Sequence, residues 1–557
     1  MEPLSLEARA ERTRHYLQTM VDGDGLPYFN VFWTDPAEAA HDWPDFGDVT
    51  ARQLQAAVML RHMTGTGVIM EGTWRQALLA RLDPADGLLH RPATTFSSPG
   101  ADPGDAALTL YALATDLAGR PDDRELRDVV CRMVDGIRGR GWERLGDGFM
   151  GGFLLQPLLA AYRAASCEPA FEAAKELAAV NADRLLPADG IHPAGTHVHG
   201  TLRGLLGVST LARAIGDGAL LERARVAFDG FRRLATRFGF LPEVVGRAGD
   251  VITCETCALL DYIGTGVALA NAGMDEYWGV VERVVRNHLV ESQVEDTSWL
   301  TSPHPVPQDT DQFTWRDVGA RMRGGWAGWS SPNHLLGARE TLHWGGPELR
   351  GKTRAFQNCC GGSGGHALFI AWKHASVCRE GTVRVHLHLD KLLPEAEVRC
   401  HQPRQGRTTV HLRQGAAVAI RLPDFCPADE VRLTVDGSPA SRVRRQGAFL
   451  HLERLPAGSL VEALYPVPSV TEEIAVGNPG FRHHRYRVRW QGDTVLELTP
   501  LGNEHPTGQS DFERAQVPVF YGTEGPAPLY RRGSGGVDAT PGPPAPLHED
   551  RSPIDFW

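Results

Sequence analysis

The chain lacks the features that would assign it to several broad classes. No apolar run approaches the ~18–20 residues of a membrane span, so no membrane partner is expected. Met1-Glu2-Pro3-Leu4-Ser5-Leu6-Glu7 is charged from its second residue and has no apolar h-region, so no secretion signal is expected and a cytoplasmic location follows. Positive charge is not in excess: 57 Lys+Arg stand against 68 Asp+Glu, a net −11, which leaves no electrostatic footprint for nucleic acid. Cysteines are few for 557 residues, and their number, nine, is odd; that argues against a disulfide framework and for reduced thiols. With 42% hydrophobic and 22% charged residues, the composition excludes a mainly disordered chain.

What is present is periodic. From about residue 4 to 297, Ala/Leu/Arg-rich stretches place apolar residues at i, i+3 and i+4 between short Gly/Pro/Asp breaks. Roughly eleven or twelve such segments, with no strong strand signal among them, match the arithmetic of an (α/α)6 barrel. Residues 298–380 are irregular, with Trp, Gly, Pro and His crowded into Trp315–Asn333, and one further helix is expected from about His366 to His374. From 381 the period becomes two, as in Val383-Arg384-Val385-His386-Leu387-His388-Leu389, and Asp436-Gly437 marks a turn. The expected fold is therefore multidomain α + β: an (α/α)6 barrel over 1–380, an antiparallel β-sandwich over 381–521, and a Gly/Pro-rich extension over 522–557.

Two segments concentrate the chemistry. Cys254-Glu255-Thr256-Cys257 opens one helix, and Cys359-Cys360 precedes Gly361-Gly362-Ser363-Gly364-Gly365-His366 about 100 residues later. Soft thiolates beside a carboxylate are a plausible zinc site, set against scattered buried thiols or a redox pair at Cys254 and Cys257. Spacing leaves the ligand set open between four cysteines and three cysteines with Glu255. A metal-bound thiol is deprotonated outright, so one cysteine can act as a nucleophile at neutral pH; a carboxylic acid is then needed for the leaving group.

At Glu255-Thr256-Cys257-Ala258 and Cys359-Cys360 the sequence resembles glycoside hydrolase family 127, the β-L-arabinofuranosidases. The stretches His197–Asp217, Val418–Pro423 and Pro528–Arg532 are similar to that family too. The resemblance implies an (α/α)6 barrel with β-sandwich appendages and a retaining exo-glycosidase with a zinc-bound cysteine nucleophile. It further implies Cys359 as nucleophile, Glu243 as acid/base, Glu255, Cys257, Cys359 and Cys360 as Zn2+ ligands, and His197 as a sugar contact. Cys254 receives no role from it. The chain departs from the family in the glycines that follow Cys360.

Trp326 and Trp329 are candidates for a stacking wall, with core packing as the competing reading. Asn333, His334, Asp45 and Asp48 are polar candidates. The expected partner is a small saccharide or glycoside, with a homodimer possible. Two other functions remain open at this level: epimerisation or uronate elimination centred on His197, His199 and His366, and a non-catalytic carbohydrate-binding protein with structural zinc.

Overall fold

A computed structural model describes residues 4–32, 36–147, 149–246, 253–335, 340–341, 349, 353–354, 356–477, 483–504, 527–530 and 545–557. Among them, twelve helices of nine residues or more build the first part of the chain. They are α1 (Leu6–Thr19), α2 (Asp48–Thr64), α3 (Glu71–Leu79), α4 (Pro103–Ala118), α5 (Arg124–Gly139), α6 (Phe149–Ala165), α7 (Glu168–Leu185), α8 (Val198–Ile215), α9 (Gly218–Leu234), α10 (Thr256–Asn271), α11 (Glu276–Val284) and α12 (Cys359–Ala375).

Their composition separates them into two rings. α4, α8, α10 and α12 are buried on almost every side, whereas α5 buries one stripe, including Leu126, Val130, Met133, Val134 and Ile137, and turns its charges outward. A helix apolar all round must be enclosed. The enclosed helices pack in the order α2-α4-α6-α8-α10-α12, and α12 closes back on α2; α1, α3, α5, α7, α9 and α11 lie outside them. The fold is the expected (α/α)6 barrel. Each outer helix carries the chain back, so all six inner helices run the same way and present their N-termini at one mouth. That mouth gathers the positive ends of six helix dipoles.

Two features of the helical part depart from the sequence reading. α12 begins at Cys359 and not near His366, so the glycine run is helical. Short strands also interrupt the helical part: Asn30–Phe32 and Glu38–Ala40 join Phe313–Thr314 and Phe356–Gln357 in an antiparallel sheet. Strands of two or three residues are too short to show a period of two. This sheet delivers the chain to Cys359, since Gln357 pairs with Asn30.

Residues 376–464 form two facing sheets around a shared core of Val383, Val398, Val410, Val418, Ile420 and Val461. Pairing is antiparallel except between Thr382–Val385 and Ala416–Arg421, which are parallel. A further antiparallel meander, Ser469–Val476, His483–Gln491 and Thr494–Glu504, adds Tyr486, Val488 and Trp490 to the barrel's core. Composition marks the chain end as a loose extension, yet Ile554, Phe556 and Trp557 are buried. Trp557 lies edge-on to His366 and His374, and Gln156 donates to the Phe556 carbonyl at 3.1 Å.

Candidate active site

The two cysteine-bearing segments meet at the barrel mouth. Asn358, just before α12, is fixed by three hydrogen bonds: its N–H donates to the Phe29 carbonyl (2.7 Å), its Nδ2 to the Tyr28 carbonyl (2.8 Å), and its Oδ1 accepts from the Tyr16 hydroxyl (2.8 Å). This anchoring sets Cys359 and Cys360 in the first turn of α12. Just before α10, Cys254 and Ser330 exchange backbone hydrogen bonds (2.8 and 3.0 Å), and the hydroxyl of Thr256, the first residue of α10, donates to the Ala327 carbonyl (2.7 Å). Those contacts fix Glu255 and Cys257 on the neighbouring inner helix.

The donor atoms of Glu255, Cys257, Cys359 and Cys360 all lie within 4.8 Å of one another, and all four residues are buried. Cys257 Sγ and Cys360 Sγ are 3.4 Å apart. Among the described residues, Glu255 Oε2 has no hydrogen-bond partner. Cys254, also buried, stands outside this group.

Electrostatics separate the four acids. Burial pushes Glu255 well above the usual carboxylate range, and the neighbouring Cys257 adds to the shift. Burial likewise pushes Cys257 up to about 11 and Cys360 well above an ordinary thiol. Cys359 moves the other way, to about 6, because hydrogen bonds from the Cys257 and Cys360 thiols favour its thiolate. Three soft thiols and a carboxylate, desolvated and convergent, with one carboxylate oxygen unsatisfied, suit a thiophilic divalent cation.

A second group shares Glu255. His197, Glu243 and Glu255 also have donor atoms within 4.8 Å of one another. His197 precedes α8; its Nδ1 accepts from the Gly200 N–H (3.3 Å), and its Nε2 lies 3.8 Å from Glu255 Oε2. The Glu243 carbonyl accepts from the Val198 N–H (2.9 Å), and its Oε2 accepts from the Thr253 hydroxyl (3.0 Å). His197 and Glu243 are half-buried while the thiols are buried, so the histidine and the carboxylate sit on the solvent side of the cluster.

Other sequence candidates fall elsewhere. Trp326 is a correction: its indole donates to the Thr13 hydroxyl (3.2 Å) and lies against Gly364, so it packs behind α12 and offers no face to a ligand. Trp329, Asn333 and His334 are buried too. His334 Nε2 accepts from the Ala527 N–H (3.1 Å), and the Asn333 carbonyl from the Leu529 N–H (2.8 Å), so both hold the segment 527–530. Asp45 is bonded to His41 (2.8 Å), and Asp48 pairs with Arg52. Arg52 is the residue sequence reasoning passed over; the signal available was its i,i+4 spacing from Asp48.

No protein-family model and no curated protein matches the chain. Solved structures do. The chain is similar to a GH127 β-L-arabinofuranosidase from Geobacillus stearothermophilus T6, with TM-score 0.55, 15% identity, and 88% of this chain against 80% of that one covered. A glycoside hydrolase gives 0.58 at 14% identity, covering 89% and 81%. A GH127 β-arabinofuranosidase gives 0.54 at 11%, covering 88% and 81%. The likeness is one of fold, a distant GH127-like architecture. Among the described residues no helix is long and apolar enough to cross a membrane.

Proposed function

We propose that the chain is a retaining exo-glycosidase, β-L-arabinofuranosidase-like, with Cys359 as nucleophile and Glu243 as acid/base, acting on a small saccharide or glycoside. One observation carries the reading: a buried three-thiol, one-carboxylate cluster with a single depressed thiol, overlaid by a half-buried glutamate and histidine. The GH127-like fold supports it. Glu255, Cys257, Cys359 and Cys360 would hold a Zn2+ ion, which when bound keeps its thiol ligands deprotonated at neutral pH.

Cys359 Sγ attacks the anomeric carbon, forming a C–S bond as the glycosidic C–O bond breaks, and Glu243 gives its proton to the departing oxygen. Glu243, now a carboxylate, takes a proton from water; the water oxygen bonds to the anomeric carbon, and the C–S bond breaks to return the thiolate. His197, on the solvent side of the thiols, orients the sugar by hydrogen bonding. Of the other histidines considered for an epimerase or lyase, His199 is bonded to Asp261, and His366 is buried between Tyr111 and Trp557.

A panel of aryl glycosides beginning with β-L-arabinofuranosides tests the reading. Wild type is expected to release aglycone, while folded Cys359→Ser releases none above background. Full activity in Cys359→Ser would contradict the mechanism.

A further inference from the structure

Arg52 is a permanent cation enclosed in the protein beside the thiols. It lies one turn into α2, and Gly362 makes its position possible: a Cβ there would stand 2.7 Å from the Arg52 backbone, so only glycine lets α12 and α2 cross this closely. The guanidinium engages Asp48 through Nε. Its Nη1 donates to the Ser363 hydroxyl (3.0 Å) and lies 4.0 Å from Cys257 Sγ, and its Nη2 lies 3.4 Å from His199 Nε2.

The histidine contact fixes a direction. Arginine has donors only, so His199 Nε2 accepts and the ring proton sits on Nδ1, from which it is given to Asp261 at 2.5 Å. The other Asp261 oxygen accepts from Arg203 Nε at 2.6 Å. Arg203, Asp261 and His199 are all buried. A buried hydrogen-bonded chain therefore runs from Arg203 through Asp261 and His199 to the guanidinium beside Cys257.

Three thiolates and a carboxylate outweigh the charge of one divalent cation, and in a desolvated pocket the excess is costly unless a cation stands beside it. Arg52 is placed there: its Nη1 faces the thiols, while its carboxylate partner Asp48 sits on the Nε side and is the more solvent-exposed and screened of the pair. We infer that Arg52 is the fixed counter-charge that sets the metal affinity of the Glu255-Cys257-Cys359-Cys360 centre, held in place by Ser363 and the His199-Asp261-Arg203 chain. It is a positioning residue that acts through the ligands, and the inference rests on the metal centre proposed above.

The test is zinc affinity measured by competition with a chromophoric chelator, on full-length wild type, Arg52→Met, Arg52→Lys and Ser363→Ala, with the melting temperature of each metal-free protein recorded alongside. Partners that orient or balance metal ligands are typically worth 10–100-fold in affinity, so Arg52→Met should bind zinc about 10–100-fold more weakly. Its metal-free melting should fall as well, because Asp48, Ser363 and His199 each lose a partner, so affinities are compared only among variants that remain folded at the assay temperature. Arg52→Lys keeps the charge but not the fork and should fall between the two; Ser363→Ala should weaken binding less. Wild-type affinity in Arg52→Met, alongside zinc loss in Cys257→Ser, would overturn the inference while leaving the metal centre standing. Absence of zinc from wild type itself would overturn both. Should Arg52→Met not fold, Arg52→Gln, which removes the charge but keeps a donor, decides: weaker zinc binding supports the counter-charge, and wild-type affinity contradicts it.

Discussion

At the residue scale the centre is a contest among four acids for charge in a buried pocket. Burial opposes ionisation of Glu255, Cys257 and Cys360, while two thiol hydrogen bonds favour it at Cys359. That asymmetry supports the proposed nucleophilic role of Cys359. The acid/base role proposed for Glu243 is different, and leaving-group chemistry isolates it. For Glu243→Ala we expect kcat/KM to fall about 10²–10⁴-fold on glycosides with basic leaving groups, and far less on activated aryl glycosides, which depart without a proton. A loss independent of the leaving group would remove Glu243 from the acid role. The two cysteine-bearing segments were legible in the sequence because each is compressed into a few positions at a helix start, whereas spacing left Cys254 and Glu255 as rival ligands and only the family resemblance chose between them. Arg52 was not, because its meaning depends on Ser363, 311 residues away, across a helix crossing that no local pattern encodes.

At the scale of the element, α12 shows a sequence signal misread in form. The sequence reading starts the helix near His366, and in the structure the glycines and serine before it are the first turns of a buried helix. The reason is steric: a Cβ at Gly364 would lie 2.1 Å from Trp326. Gly364→Ala is therefore expected to destabilise the protein by about 1–3 kcal/mol through overpacking, despite alanine's better helix propensity. Gly72 in α3 meets nothing within 4 Å, so Gly72→Ala is the control, expected to be neutral or stabilising by up to about 1 kcal/mol. Denaturant midpoints of the two variants check this; equal effects would show that the glycines of α12 serve no packing purpose. The strands Asn30–Phe32 and Glu38–Ala40 went unread because their few residues carry no periodic pattern.

For the whole molecule, periodicity showed helices followed by strands, but ring closure was a matter of counting, because no residue pattern states that α12 returns to α2. The join between barrel and sandwich was equally hidden. It rests on Glu282 of α11, which bonds Arg286 (2.7 Å), pairs with Arg421 of the sandwich and accepts from the His388 N–H (3.1 Å), all buried. Burial alone would raise the Glu282 carboxyl, but the Arg286 and Arg421 guanidiniums outweigh it and hold the group well below its ordinary 4.5. A carboxylate depressed on folding adds stability that is present above its unfolded value and is lost as pH falls below it. Removing one partner of a buried ion pair typically costs about 3–5 kcal/mol, so Glu282→Gln should unfold at markedly lower urea at pH 7. Below about pH 4.5 its deficit should shrink as the wild type loses the same contribution. A deficit unchanged by pH would show that the charge of Glu282 does not hold the two parts together.

The most direct test of the central claim is acid-quench peptide mass spectrometry of Glu243→Ala during turnover of an activated aryl glycoside. Without its acid/base the variant should accumulate the glycosylated form, and the peptide carrying Cys359 should gain the mass of one glycosyl residue. An unmodified Cys359 peptide during continuing hydrolysis, or the added sugar on another residue, would contradict the account.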